Sequence, residues 1–413
     1  IDDFAAALRK QQRTAQERMR SGEQLPVALC YSRQMPEGIE REGCIFLPAT
    51  STLLFENGVE PQDENALQSD ALAWAFYLLT RYEEYLPFAA DAHGRFSASL
   101  SAAVRGGFLQ RPRVDEIAID LLNRVSHIIG DDKAERWGRS YKFLPTFDID
   151  FMYAYANKSA LHTLAAAARD LLKRQPAQAS QRWAAWRGAA ADPYDNIDSI
   201  SALHTTAQAP TPLFFILTAL QHSDYDRNSP PHSPAFADFL RRLSVAFPQS
   251  VGLHPSYAAG TNAESIKAEK AALERAANAP VVRSRQHFLR LRLPDTYRAL
   301  LAANITEDYT MGYADAVGFR ASTARAHRWY DLRYERATLL RVQPFMAMDV
   351  TLRDYLRLSP AQAIDTVPPL VDACRQTGGT FSLLWHNSSL ADLDGWGEAW
   401  REAYAQMLRI ARA

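Results

Sequence analysis

Tyr141-Lys-Phe-Leu-Pro-Thr-Phe-Asp-Ile-Asp150 is the stretch on which the reading of this 413-residue chain turns. An apolar run leads into two carboxylates, Asp148 and Asp150, separated by one residue. In a strand, side chains at i and i+2 point the same way, so both acids address one site. Like charges on one face are costly unless a metal ion or a proton transfer needs them. On this stretch alone, two solvated aspartates at a strand-to-loop junction explain the pattern as well.

Downstream, the pattern alternates between strand and helix. Strands are expected over 142–147, 212–217, 249–253, 280–284, 304–310, 339–346 and 379–384. Helices are expected over 159–174, 180–190, 195–208, 234–246, 263–277, 294–303, 360–377 and 395–411. Such alternation implies an α/β fold with parallel strands joined by right-handed crossovers. About seven such units favour a barrel over an open sheet. Upstream, residues 4–20 read as a surface helix, and 26–31 and 44–47 as short β runs. An apolar helix starts after Asp70 as its cap, and Pro87 is expected to end it. His93-Gly94-Arg95 reads as a turn, 114–129 as a helix and Gly130-Asp-Asp-Lys133 as a linker. The expected organisation is a smaller α+β accessory domain over 1–135 and a barrel over 140–413.

Composition removes several function classes. The chain is 47% hydrophobic and 23% charged, so disorder does not dominate. With 46 basic and 47 acidic residues it has no field to hold a nucleic acid. Eight Trp and 17 Tyr suit ring-bearing ligands, and equally a plain core. Cys30, Cys44 and Cys374 make neither a disulfide framework nor a metal signature, which suits a reducing compartment. No apolar run reaches transmembrane length, and Ile1-Asp-Asp-Phe4 carries no basic-then-apolar leader, so a cytoplasmic location is expected. Oligomeric state is not legible.

In a βα barrel, chemistry gathers where strands end and βα loops begin. The strand ends carry Asp148 and Asp150, His254-Pro-Ser-Tyr257, Arg285-Gln-His287, Gly318-Phe-Arg320, Asp349 and Trp385-His386-Asn387. Each has an ordinary alternative. His254 can serve a turn, His287 a loop carbonyl, Arg320 an ion pair, Asp349 a helix cap. Together, carboxylates and imidazoles converging from different strands are the N and O donors that a Zn²⁺-type site requires. Tyr257, Trp385 and Asn387, beside them, are the substrate-binding candidates.

These motifs resemble the polysaccharide deacetylase superfamily, chitooligosaccharide deacetylase-like hydrolases on an irregular (β/α)7 barrel. The resemblance covers about residues 140–390. Thr146-Phe-Asp-Ile-Asp150 is similar to the family's Thr-Phe-Asp-Asp-Gly motif, and His254-Pro255 to the end of its His-x-x-x-His-Pro motif. Phe319-Arg320 is similar to its Arg-x-Pro-Tyr motif, Asp349 to its Asp-containing motif and Leu384-Trp-His386 to its closing Leu-x-His motif. With Leu79-Thr-Arg-Tyr-Glu-Glu-Tyr-Leu86 included, the chain is also similar to a bacterial subgroup with an extra N-terminal domain.

The resemblance implies removal of acetyl groups from an N- or O-acetylated carbohydrate. It implies Asp148 as the base acting on a metal-activated water and His254 as a metal ligand. Arg320 would hold the base, and His386 would be the acid, tuned by Asp349. Two departures stand out. Ile149 occupies the family's metal-binding Asp position, so Asp150 becomes the ligand, although Asp148 and Asp150 can exchange roles. Ser250 stands where the family's first histidine would be, so His287 is the candidate replacement. The expected cofactor is a divalent ion, zinc first, on Asp150, His254 and His287. A carbohydrate-binding scaffold without turnover is the alternative that Ser250 motivates. Hydrolysis of another C–N bond or of a glycosidic bond by Asp148 and Asp150 as a carboxylate pair ranks last, because acids so close are cramped for acid and nucleophile.

Overall fold

The computed structural model describes residues 28–32, 44–48, 70–129 and 140–412. The helix expected over 4–20 and the linker at 130–133 lie outside the described residues. Strands β1 (Ala28–Ser32) and β2 (Cys44–Pro48) pair in parallel, Ala28 opposite Cys44. Helix α1 (Ala71–Thr80) starts where Asp70 Oδ1 accepts the Ala73 N–H at 3.0 Å. It stops at Arg81, whose φ is 56°, before the expected stop at Pro87. Helices α2 (Ala102–Arg105) and α3 (Arg113–Ile129) follow.

From residue 140 the chain builds a curled half-barrel sheet. Strand β3 (Lys142–Ile149) leads through α4 (Ala160–Leu172), α5 (Pro176–Trp186) and α6 (Ile197–Ala207) to β4 (Leu213–Leu217). Then come α7 (Pro234–Ala246), β5 (Val251–His254), α8 (Ala263–Ala277), β6 (Arg283–Ser284) and α9 (Asp295–Ala302). Strands β7 (Glu307–Asp308), β8 (His327–Asp331), β9 (Arg336–Val342) and β10 (Ala347–Met348) follow. The chain ends with α10 (Pro360–Asp365), α11 (Val367–Thr377), β11 (Thr380–His386) and α12 (Glu398–Arg412).

The sheet order is β10-β11-β3-β4-β5-β6-β7-β9-β8, parallel except for β8 against β9. The α/β class and the parallel order match expectation, but a closed seven-stranded ring is not formed among the described residues. The sheet has two ends, β10 and β8. Strands β6, β7 and β10 are two residues long, too short to carry a closing ladder. The β10–β11 edge is met instead by the 318–324 segment. Gly318 N–H donates to Met346 O at 2.8 Å, and Thr380 N–H to Ala324 O at 2.8 Å. That shields backbone groups that would otherwise face solvent.

Alternation divides the strands' residues. On β3 and β11, Phe147 and Trp385 face the helices and pack on Tyr404, at 5.5 and 4.9 Å between ring centres. Asp148 and His386, opposite each other in register, face inward.

The N-terminal part locks onto the half-barrel through buried charges. Arg320 binds Glu84 with two bonds, 2.6 and 2.9 Å, and donates to Gly312 O at 2.9 Å. Arg81 binds Glu84 at 2.7 Å and Tyr313 Oη at 2.9 Å, and also donates to the Arg320 carbonyl. Glu83 accepts the Ala102 N–H at 2.8 Å, at the start of α2. Asp115, in α3, takes the Thr323 hydroxyl at 2.6 Å and the Ala324 N–H at 2.8 Å. Burial alone would raise the Glu84 carboxyl above its ordinary 4.5, but Arg320 and Arg81 hold it below that value. The pair therefore stabilises the fold above this pH, and the contribution is lost as the pH falls through the lowered value. Glu84→Ala leaves Arg320 and Arg81 short of a buried partner and should cost about 3–5 kcal/mol in denaturant unfolding; a loss below about 1 kcal/mol would contradict the interlock.

Candidate metal centre

The inner face of β3 ends in Thr146, Asp148 and then Asp150, just past the strand. Strand β5, two strands along, ends in His254, opposite Leu217 of β4. His287 follows β6, where the backbone reverses through two left-handed residues, Phe288 (φ 58°) and Leu289 (φ 55°). These elements bring one atom from each of Asp150, His254 and His287 within 4.8 Å of one another, a group that could hold a metal ion. His254 Nε2 lies 3.3 Å, and His287 Nε2 3.7 Å, from Asp150 Oδ1.

Three features fit this group to a cation. Asp150 Oδ1 is buried and has no hydrogen-bond partner. Each histidine is fixed from behind: His254 Nδ1 meets Arg285 O at 2.6 Å, and His287 Nδ1 meets Asp226 Oδ1 at 3.0 Å. Bonds of this kind set the tautomer and aim the other nitrogen, as metal-ligating histidines require. One carboxylate oxygen and two imidazole nitrogens are a donor set that suits Zn²⁺, whose tetrahedral ligands stand about 3.3 Å apart. In the bare site, burial opposes charge on both groups, but Asp150 and Asp226 raise His287 to about 9. His287, His254 and His386 hold Asp150 well below the usual carboxylate range.

Asp226, in the β4–α7 loop, is a further residue of the site that the strand-end motifs do not include. It holds His287, accepts the Tyr257 N–H at 2.9 Å and takes the Ser223 hydroxyl at 2.7 Å. The turn after His254-Pro255 is fixed again by Glu269, which accepts the Ser256 N–H at 2.9 Å and hydroxyl at 2.5 Å.

The loop after β6 is also tied to the N-terminal part. Arg95 donates to Phe288 O at 3.0 Å, and Arg290 Nε to His93 O at 3.0 Å.

Beside the group stand two further pairs. Asp148 Oδ1 is bound by Arg285 Nη1 at 2.9 Å. Arg285 is fully buried, with Nη2 on Thr146 Oγ1 at 2.9 Å and Nε on Tyr309 O at 3.0 Å. His386 Nδ1 meets Asp349 Oδ1 at 2.8 Å, while Asp349 Oδ2 accepts the His386 backbone N–H at 2.7 Å. His386 Nε2 lies 3.7 Å from Asp150 Oδ2. Burial works against charge on His386, but Asp349, Asp150 and Asp148 raise it to about 10, so it keeps its second proton at neutral pH.

Several expected placements need correction. Arg320 does not reach Asp148: all three of its nitrogens bind Glu84 or Gly312 O, and Arg285 occupies the place beside Asp148. Trp385 does not face the site. It alternates with His386 on β11 and is fully buried against Tyr404. Asn387 is buried as well, its Nδ2 clamping Phe151 O and Tyr194 O at 2.8 Å each. Tyr257 stands near the rim, stacked on Tyr225 at 4.1 Å, with its hydroxyl 3.2 Å from His93 Nδ1. Ser250 bonds the Phe247 carbonyl at 2.6 Å, at the opposite end of β5 from His254. Residues four apart converge on a helix but stand about 13 Å apart on a strand. A histidine at 250 would therefore not reach the group.

A family of unknown function, DUF7033, matches residues 7–129. No curated protein matches the chain. Among solved structures, the chain is similar to a Mycobacterium smegmatis protein assigned as a polysaccharide deacetylase. Identity is 18% and the TM-score 0.40, over 66% of this chain and 85% of that one. It is also similar to a Bacillus cereus polysaccharide deacetylase, with 9% identity and a TM-score of 0.32 over 66% and 87% of the two chains.

The placement of Trp385 has a direct test. Trp385→Ala should cost about 3–5 kcal/mol of stability, as for other buried aromatics, measured by denaturant unfolding. A cost near zero would return this ring to an exposed binding role.

Proposed function

We propose that the chain is a metal-dependent hydrolase that releases acetyl from an N- or O-acetylated carbohydrate. The observation that carries this reading is Asp150 Oδ1, buried without a hydrogen-bond partner and facing Nε2 of two histidines, each anchored at Nδ1. Asp150, His254 and His287 would hold a divalent ion, zinc by donor type. Such an ion supplies Lewis acidity to an acyl oxygen and brings the pKa of a water toward ~7.

The chain's own groups divide the proton transfers. Asp148 is the base. Arg285 fixes its Oδ1, and its Oδ2, 3.8 Å from His254 Nε2, takes the proton of the attacking water. Asp148 is committed to a guanidinium and Asp150 is free of one, which supports Asp148 as base and Asp150 as ligand. His386 is the acid. Its Nδ1–H is held by Asp349, and its Nε2–H is directed toward Asp150 Oδ2 and the same space, where it protonates the departing nitrogen or oxygen. Arg285 takes the role that the motif order assigned to Arg320. Tyr257, at the rim, is the substrate-contact candidate that remains. On this reading residues 140–413 carry the chemistry and residues 1–135 form an accessory domain.

The reading of a binding protein without turnover drew on Ser250. The strand conformation of 251–254 supplies a reason for a serine there that is independent of turnover.

Purified protein should contain about one divalent ion per chain, and chelation should abolish acetyl release from acetylated oligosaccharides. Asp148→Asn should keep the ion yet lower kcat by about 10²–10⁴-fold, the usual worth of a general base. Acetyl release indifferent to both chelator and Asp148→Asn would overturn the proposal. Asp226→Asn should weaken metal affinity by about 10–100-fold in calorimetric titration, as loss of an orienting partner does; an unchanged affinity would remove Asp226 from the site.

A further inference from the structure

Between β3 and β4 the chain inserts a helical hairpin, α4 and α5, ahead of the crossover helix α6. Helix α4 is amphipathic the wrong way round for a surface helix. Its buried positions are Thr163, Ala166 and Asp170. Its leucines face out: Leu161, Leu164, Leu171 and Leu172 are 82%, 54%, 57% and 85% exposed. At 3.6 residues per turn, these four with Ala165 and Ala168 fall on one stripe about 120° wide, containing no polar residue. An ordinary surface helix turns such a stripe to the core.

The hairpin is firmly built with that face outward. Asp170, on the inner side, binds Arg182 of α5 at 2.7 Å, and Arg182 lies over the Tyr155 ring at 4.4 Å. Trp186 Nε1 donates to Lys158 O at 2.9 Å, and Ser159 caps α4. Turning the leucines inward would break all of these.

Charge is as uneven as polarity. Residues 157–190 hold six basic residues and one acid, Asp170, in a chain whose net charge is -1. Asp170 is spent on Arg182. Arg169 borders the stripe about 40° from Ala165. Lys173 and Arg174, both exposed, close its C-terminal end, and Arg187 stands exposed beyond α5. Trp183 of α5 is 40% exposed.

An apolar stripe rimmed by cations and free of exposed acids complements a surface that is apolar beneath and anionic above. We propose that the α4–α5 hairpin seats the protein on the surface of a membrane containing anionic lipid, with the leucine stripe at the headgroup–acyl boundary and the basic rim on the headgroups. No helix among the described residues is long and apolar enough to span a bilayer, so the contact is peripheral. A second copy is the less favoured occupant, because a two-fold contact would set two equally basic rims against each other.

The test uses the full chain in vesicle co-sedimentation. Vesicles of phosphatidylcholine with phosphatidylglycerol should pellet the protein, and phosphatidylcholine alone should not. The double substitution L161E and L172E, at positions the fold does not use, should reduce binding at least about tenfold while leaving circular dichroism unchanged. Reversing Lys173 and Arg174 to Glu, or adding salt, should weaken binding in the same direction. Absence of binding to phosphatidylglycerol vesicles overturns the proposal, as does binding that L161E and L172E leave unchanged. A concentration-dependent dimer that these substitutions dissolve, without vesicle binding, overturns it in favour of a second copy.

Discussion

Two carboxylates one residue apart on the inner face of a strand repel each other, and the surrounding site is arranged around that repulsion. Asp148 is neutralised by Arg285, and Asp150 faces three imidazoles. The partners come from different strand ends: His386 stands opposite Asp148, and His254, two residues past the Gly252 that lies level with Asp148, meets Asp150. Arg285 is held from beneath as well as beside. Its guanidinium lies over Phe215 at 4.4 Å. Phe215 in turn lies over Gly252, where an added Cβ would come within 2.7 Å of the ring. The apolar layer under the charge thus requires a glycine at that point.

The same segment that closes the sheet's edge joins the N-terminal part to the site. Arg320, at the edge segment, is gripped by Glu84 and Arg81. Arg95 donates to the Phe288 carbonyl, and Arg290, just past His287, donates to the His93 carbonyl. Residues 70–129 are therefore part of the frame on which the candidate ligands sit, and a change there reaches the site through backbone carbonyls.

Much of this was legible in sequence. Asp148 and Asp150 share a face because a strand has period two. Helices α7 and α8 lie on the expected residues, 234–246 and 263–277. The gathering of His254, His287 and His386 follows from parallel strands ending on one side. The errors have physical causes. Which of two arginines meets Asp148 depends on tertiary competition, and Glu84, far along the chain, captures Arg320 first. Trp385 was readable: on a strand, an inward His386 requires an outward neighbour, as Asp148 requires an outward Phe147. Asp226 lies in a loop without periodicity, where nothing local aims a carboxylate at a histidine. The closed ring failed because two-residue strands leave no pattern to count.

The measurement that bears most directly on the central claim is an anomalous difference map at the zinc edge, from crystals of the intact chain grown with Zn²⁺. The account predicts a single strong peak within bonding distance of Asp150 Oδ1, His254 Nε2 and His287 Nε2, with Asp148 still on Arg285. A map without density there, or with the ion held by Asp148 and His386 instead, would contradict it.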